Sequence, residues 1–163
     1  MNGEGDAYTV ELLGIGDLTE AERTRCLLLI LEGGAVTMAT ARRDFPRSKT
    51  IAVARKDGEV VGVASIKPIR EDYAAGRAAK AEHRFDLKTP ELGYVVVDPP
   101  HRGHRLSSRM VEALTRDGDA LFATTSDPKM QAALMGAGFV QQGIAWKGRR
   151  GDMISLWIKT DER

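Results

Sequence analysis

Apolar and polar positions in the first part of the chain repeat with two different periods. Residues 8–13 alternate loosely, which is typical of a strand, and the glycines that follow interrupt it. Thr19 and Glu22 have the spacing of a capping box, so we expect a helix from there to the next pair of glycines. A short second helix is expected over 39–44, because Pro46 disfavours its continuation.

The next segment predicts a β-hairpin. Two apolar runs, 51–54 and 60–66, flank Asp57 and Gly58, a pair that suits a type I′ turn. The stretch 70–88 is charged and rich in alanine. We interpret it as a partly exposed helix or a mobile excursion, which would serve either as a solvated connection or as a loop that faces a substrate.

Strands and helices alternate in the second half of the chain. We expect, in order, a strand over 91–97, a helix over 105–117, a strand over 120–125, a helix that begins at Asp127 and Pro128, and strands over 139–146 and 153–159. The strand–helix–strand succession needs a crossover and so one roughly parallel pair, whereas the hairpins are antiparallel. These elements predict an α/β (α+β) fold with a mixed, mostly antiparallel sheet of six to seven strands and helices on both faces.

Composition limits the classes of protein that fit. A length of 163 residues suits one domain, which we expect to span 1–163, and a net charge of +1 supplies no global attraction for nucleic acid or membrane. Cys26 is the only cysteine, so a disulfide framework is excluded, and we expect a buried, inert thiol. Its apolar surroundings are too short to span a bilayer, and the first residues lack the features of a signal peptide. We therefore expect a cytoplasmic protein, and no residues have metal-ligand spacing.

The turn between strand 91–97 and the helix after it carries the strongest indication of chemistry. A helix N-terminus has unpaired backbone N–H groups and about half a positive charge, which favour an anion. Arg102, His104 and Arg105 add donors at this point. The turn therefore predicts a site for a diphosphate. An ordinary turn with exposed basic side chains is the alternative.

Residues 97–110, VDPPHRGHRLSSRM, resemble the coenzyme A signature of the GNAT superfamily, Q/R-x-x-G-x-G/A. Gly138 and Phe139 resemble the Gly-Phe pair that follows the last helix in that family, and the element order from about Tyr8 to Lys159 is similar to its fold. The resemblance implies a GNAT-like N-acetyltransferase with acetyl-CoA as co-substrate and no metal. It implies transfer of the acetyl (acyl) group to a primary amine by direct attack with general-base assistance.

The resemblance also implies which residues hold the coenzyme. Main-chain groups of Val95 and Val97 would pair with the pantetheine arm. The diphosphate would be held by the backbone N–H groups of Arg102, Gly103, His104, Arg105, Leu106 and Ser107. Two positions depart from the signature, since its first glycine falls on Arg105 and its final small residue on Ser107. An arginine there would either crowd the diphosphate or place its guanidinium on a phosphate.

Glu91 is the candidate catalytic base. Attack by an amine needs a base that removes its proton, directly or through water. Several members of the family carry a glutamate base on the corresponding strand. Period-two alternation predicts that Glu91 shares a face with Gly93, Val95 and Val97, beside the expected acyl group. A solvated carboxylate at the start of a strand is the alternative.

The general acid and the acceptor site are less well defined. The tyrosine that commonly serves as acid in the family is replaced by Leu134, and alternation places Tyr94 on the face opposite Glu91. The family builds its acceptor site from segments that correspond here to 28–45 and 70–90. Acidic residues in the second segment would either attract a cationic amine or only keep the surface soluble.

Two other functions remain open. Arg105 and Leu134 are compatible with a GNAT-fold protein that binds acyl-CoA, or another nucleotide, without turnover. The basic turn 147–150 is compatible with a protein or nucleic-acid interaction domain, although a hairpin tip of this composition is usually a solvated turn. As partners we expect acetyl-CoA and an amine-bearing small molecule or peptide, with no nucleic acid and no membrane. The edge strand of the last hairpin could pair with a second copy in a homodimer.

Overall fold

A computed structural model describes residues 7–34 and 36–162. Its helices and strands, in chain order, are β1 (Tyr8–Leu13), α1 (Glu20–Glu32), α2 (Met38–Asp44), β2 (Thr50–Lys56), β3 (Glu59–Ile66), α3 (Glu71–Ala81), β4 (Leu92–Val97), α4 (Leu106–Leu114), β5 (Leu121–Thr125), α5 (Pro128–Gly136), β6 (Val140–Lys147) and β7 (Met153–Lys159). This order is the predicted one, and the stretch 70–88 contributes the helix α3.

The strands form two antiparallel sheets that touch at one point. The first has the order β1-β2-β3-β4 and the second the order β5-β7-β6. One isolated parallel bridge, between Glu91 and Phe122, connects them, and the Phe122 N–H donates to the Pro90 carbonyl at 3.1 Å. The predicted mixed α/β fold is confirmed, and the seven strands of the described residues are divided between two sheets. β6 is the edge strand of the second sheet, and its pairing with a second copy remains a prediction.

Helices cover both faces of the sheets. On one face, Leu106 and Met110 of α4 pack with Val97 and Ala123 in a common core. On the other face, Leu29 of α1 belongs to a separate core, and α3 packs against Phe122 and Leu156 in a third. Because neighbouring residues of β5 such as Phe122 and Ala123 point to opposite faces, α3 lies on the same side as α1 and α2.

Local hydrogen bonds explain why these elements begin where they do. The Glu22 N–H donates to Thr19 Oγ1 at 3.1 Å, and the Thr19 N–H donates to the Glu22 carboxylate at 2.9 Å, as the capping box predicts. Asp57 and Gly58 have φ of 52° and 82°, as a type I′ turn requires. The helix α4 ends at Leu114, before the predicted end at 117.

Cys26 lies on the buried face of α1 and is fully buried. Burial raises the pKa of its thiol to about 12, so the thiol stays protonated at neutral pH, which agrees with the predicted inert role. Within the described part of the chain, no helix has both the length and the apolar character needed to cross a membrane.

Candidate active site

The strand β4 contains a β-bulge at its centre. Its register with β3 pairs Val96 with Val63 and Gly93 with Ser65, so two residues of β4 stand opposite a single residue of β3. Tyr94, one of these two, has a φ of 52°. A left-handed conformation is uncommon for a residue with a large side chain and adds to the local bend of the strand.

The bulge changes which side chains share a face. Tyr94 and Val96 pack on the α1 side of the sheet, whereas Val95 and Val97 pack on the α4 side. Glu91 lies on the same side of the sheet as Tyr94. The predicted face shared by Glu91, Val95 and Val97 is therefore wrong, and so is the placement of Tyr94 opposite Glu91. The extra residue inserted at the bulge shifts the alternation by one position.

Lys67 connects Glu91 with Tyr94. Its ammonium nitrogen lies 3.1 Å from Glu91 Oε1 and 4.2 Å from the centroid of the Tyr94 ring. Both contacts come from one side chain. A backbone hydrogen bond of 2.8 Å from the Lys67 N–H to the Glu91 carbonyl holds the two residues side by side. Sequence reasoning missed Lys67, because only the pairing of β3 with β4 brings it to Glu91.

Glu91 is a buried carboxylate, with 8% of its surface exposed. Besides Lys67, the Tyr73 hydroxyl donates to Glu91 Oε2 across a long 3.5 Å contact. Burial, and secondarily the charge of Glu91, raises the pKa of Tyr73 to about 12, so this hydroxyl keeps its proton at neutral pH. The alternative of a solvated carboxylate at the strand start is therefore excluded.

A second buried carboxylate lies on the same face, at the end of α2. Asp44 forms ion pairs with Arg43 at 2.8 Å and with Arg70 at 3.7 Å. The hydrogen bond from Arg43 lowers the pKa of Asp44. Burial, and then the charges of Asp44 and Glu91, raises the pKa of Tyr94 to about 12. A polar row thus runs from α2 past the bulge of β4 to α3.

β4 and β5 diverge beyond their single bridge, and the edge of β4 that faces β5 is open. The Asp98 N–H donates to the Val61 carbonyl of β3 at 2.8 Å. Because main-chain groups alternate in direction along a strand, those of the preceding residue, Val97, face away from β3. The Val97 carbonyl accepts there from Nε of Arg102 at 3.2 Å. A ligand that paired with this carbonyl would share it with Arg102 or displace that side chain.

The turn between β4 and α4 contains backbone N–H groups that the helix leaves without acceptors. The Arg109 N–H donates to the Arg105 carbonyl at 3.0 Å, which is the first bond of the helix α4. The N–H groups of Leu106, Ser107 and Ser108 precede it and so have no acceptor within the helix. The Arg105 side chain makes no capping hydrogen bond. A Cβ atom built on Gly103 would meet nothing within 4 Å, so space is open beside these donors.

Arg105 adopts the conformation that its glycine counterpart in the signature would favour. Its φ of 59° and ψ of 27° are left-handed, and its side chain is exposed. A non-glycine residue in this conformation costs roughly 1 kcal/mol. The backbone of the turn is thus retained despite the substitution, and the residues present fit a diphosphate.

Replacing Arg105 with glycine is expected to preserve or strengthen the binding of coenzyme A, because glycine keeps the left-handed backbone and removes only an exposed side chain. Titration calorimetry with coenzyme A measures this. Arg105→Ala is the matched variant, since alanine also removes the guanidinium but retains the backbone cost. A loss of affinity of tenfold or more in both variants would show instead that the guanidinium binds a phosphate.

β1 anchors this turn from the other side. The Tyr8 hydroxyl is hydrogen-bonded to His101 Nδ1 at 2.9 Å, and the Tyr8 ring lies 4.7 Å from that of His104. Arg25 of α1 holds Asp98, at the start of the turn, through a 2.8 Å ion pair. Both histidines therefore contact a buried tyrosine as well as bordering the candidate phosphate site, a contact that the sequence did not indicate.

The remaining candidates have structural roles. Leu134 is fully buried in the core and supplies no acid. Asp127 caps α5 by accepting from the Lys129 N–H at 3.0 Å. In the basic turn 147–150, the Arg150 guanidinium donates to the Gly34 carbonyl after α1, so at least one of its cations is engaged within the protein.

Comparison with known proteins agrees with this architecture. The model of the acetyltransferase (GNAT) family matches residues 19–134, and the chain belongs to that family. Family membership places it among the acyltransferases. No curated protein matches the chain in sequence.

Solved structures share its fold at low sequence identity. A GNAT-family acetyltransferase from Streptococcus agalactiae is 15% identical over 96% of each chain, with a TM-score of 0.69. FeeM, an N-acyl amino acid synthase from uncultured soil microbes, is 16% identical over 94% of this chain and 90% of its own, with a TM-score of 0.65. An Elizabethkingia anophelis family member with acetyl-CoA bound is 10% identical over 95% of this chain and 99% of its own, with a TM-score of 0.61.

Proposed function

We propose that this protein is an N-acetyltransferase that transfers the acetyl group of acetyl-CoA to a primary amine, with Glu91 as general base. One observation carries the proposal. The open edge of β4 runs from the unpaired N–H groups at the start of α4 to the buried carboxylate of Glu91, where β4 and β5 meet. A diphosphate site and a buried base thus lie at the two ends of one cleft.

The coenzyme would occupy this cleft along its length. The backbone N–H groups of 102–107 would hold the diphosphate, and main-chain groups of Val95 and Val97 would pair with the pantetheine arm. Acetyl-CoA, when bound, supplies an activated thioester. Arg102 lies between the two contacts, and its bond to the Val97 carbonyl makes it the side chain that has to adjust.

Glu91 would take the proton that the amine loses as it attacks. The amine nitrogen forms a bond to the acyl carbon, the bond from that carbon to sulfur breaks, and the released thiolate takes up a proton to give coenzyme A. Lys67 and Tyr73 hold the Glu91 carboxylate in place. Since Leu134 supplies no acid, the proton for the thiolate would come from protonated Glu91 or from solvent.

Thermal unfolding with and without acetyl-CoA tests the proposal, with coenzyme A and ATP as comparisons. A ligand at about 100 times its Kd stabilises the folded state by about 2.7 kcal/mol, which raises the midpoint by a few degrees. We expect this rise with acetyl-CoA and not with ATP, followed by thiol release when amines are added. The absence of a rise with acetyl-CoA would refute the site.

A protein that binds acyl-CoA without turnover is the second candidate, because Leu134 replaces the usual acid with a buried core residue. It predicts the same rise in the unfolding midpoint without thiol release from any amine. The measurement of thiol release therefore distinguishes an active acetyltransferase from a protein that only binds acyl-CoA.

A further inference from the structure

Two arginines of the α3 segment, Arg70 and Arg77, contact the ring of Tyr73. The acidic residues of the segment are all exposed, namely Glu71, Asp72, Glu82 and Asp86. Asp72 and Asp86 accept from nearby backbone N–H groups, which gives them local structural roles. Arg70, Tyr73 and Arg77 lie along one stripe of the helix, at a spacing that places them on the same face. The expectation that the acidic residues attract a cationic amine receives no support from this arrangement.

Arg77 lacks the partner that the other cations of this face possess. Lys67 pairs with Glu91 at 3.1 Å, and Arg70 lies 3.7 Å from Asp44. For Arg77, the described residues contain no ion pair, and its Nε is buried without a hydrogen-bond partner. A buried donor on a charged group destabilises the folded state when it lacks an acceptor, unless a ligand supplies one.

Two aromatic rings hold the Arg77 guanidinium. Its Cζ lies 5.1 Å from the centroid of the Tyr73 ring and 5.7 Å from that of Trp146 in β6. A guanidinium held against aromatic rings loses little further freedom when it binds, and its planar donors match the two oxygens of a carboxylate. The site is thus prepared for a planar anion.

One tyrosine separates this guanidinium from the candidate base. The ring of Tyr73 contacts Arg77, and its hydroxyl reaches Glu91 Oε2 at 3.5 Å. A small molecule lying along Tyr73 could therefore place an anionic group at Arg77 and an amine near Glu91.

We propose that Arg77 binds a carboxylate of the acceptor, so that the acceptors are amino acids with a free carboxylate. This inference rests on the proposed N-acetyltransferase function. It assigns Arg77 to specificity, since the bond changes occur at Glu91 and the guanidinium only holds the far end of the acceptor. Neutralising the carboxylate should therefore weaken binding without changing the chemical step.

The experiment compares amino acids with their carboxamides, which keep the amine and lose only the charge. We expect the parent protein to acetylate amino acids with a KM at least tenfold lower than that for the carboxamides. Arg77→Met should remove this difference by raising KM for the acids. Arg77→Lys should restore part of it. Arg84→Met is the control, because it removes an exposed arginine from the same connection and should change neither KM.

Calorimetry supplies a readout that does not need turnover. N-acetyl amino acids and their carboxamides, as product mimics, are titrated into protein loaded with coenzyme A and into protein alone. Equal binding of the two series, no binding of either, or a preference for the acid that persists in Arg77→Met would overturn the inference. A stronger response to phosphoethanolamine than to β-alanine would overturn it in favour of a phosphate.

These outcomes are distinct from failure of the proposed function. If acetyl-CoA raises the unfolding midpoint and carboxamides are acetylated as well as acids, only the role of Arg77 fails. If acetyl-CoA has no effect, the acetyltransferase proposal fails, while the calorimetry still reports whether Arg77 binds carboxylates. A purely structural Arg77 would lower the unfolding midpoint in Arg77→Met and weaken both series equally.

Discussion

Replacing Glu91 with glutamine is expected to lower kcat for amine acetylation by about 100-fold or more, which is the usual contribution of a positioned general base. Glutamine keeps the size of the side chain but cannot accept the proton of the amine. In the proposed site the coenzyme is held by backbone groups elsewhere in the cleft, so the rise in unfolding midpoint with acetyl-CoA should persist. The effect on kcat is measured by stopped-flow or steady-state thiol release at pH values from roughly 6 to 9.

A double variant separates catalysis from structure at this position. Glu91→Gln leaves the buried ammonium of Lys67 without its carboxylate, which could impair the site for reasons unrelated to proton transfer. Glu91→Gln combined with Lys67→Met removes both charges. A base role predicts that the double variant stays as slow as the single one. Recovery of activity in the double variant, or a pH–rate profile unchanged in Glu91→Gln, would remove Glu91 from the role of base.

Replacing Gly143 with alanine is expected to lower the free energy of unfolding by about 3 kcal/mol or more, since overpacking and a left-handed backbone both add to the cost. A Cβ atom at Gly143 would lie 2.1 Å from the Ala81 carbonyl oxygen, at the end of α3, and its φ is 70°. The added methyl group and the Ala81 carbonyl cannot separate without moving the backbone of β6 or α3. Because α3 carries Tyr73 and Arg77, its displacement should also reduce acetylation. Urea unfolding followed by circular dichroism measures the stability.

Gly136→Ala is the matched control. Gly136 is the last residue of α5, and a Cβ atom there would meet nothing within 4 Å. The free energy of unfolding should stay the same or rise by up to about 1 kcal/mol, the difference in helix propensity. If Gly143→Ala proved as stable as Gly136→Ala, the close packing of β6 against α3 would be contradicted.

Features that depend on neighbouring residues could be predicted well. The capping box at Thr19, the N-cap at Asp127 and the type I′ turn at Asp57 each close hydrogen bonds or turns within a few residues of sequence. The turn before α4 belongs to the same class, since an N-terminus with unpaired donors follows from the helix itself. The family resemblance extended these local features to a fold, which the family match then confirmed.

The surroundings of Glu91 could not be predicted in this way. Periodicity assumes an unbroken strand, whereas the bulge at Tyr94 inserts one residue. The neighbouring Gly93 is compatible with a bulge, but a glycine inside a strand does not by itself fix where the extra residue falls. That residue reverses the faces of Val95 and Val97 relative to Glu91. The partner Lys67 is equally hidden, because it follows a different strand, β3, and is brought to Glu91 only by the register between β3 and β4.

The sequence by itself thus determined the order of the elements, the position of the candidate anion-binding turn and the family, because these depend on local hydrogen bonding and on a contiguous signature. Only the tertiary structure decided which charges meet. Lys67, Tyr73 and Glu91 come from three separate elements, and their contact depends on strand register and on helix packing across the sheet. Arg77, whose Nε has no hydrogen-bond partner among the described residues, emerges for the same reason, since a missing partner can be recognised only when the neighbours are in place.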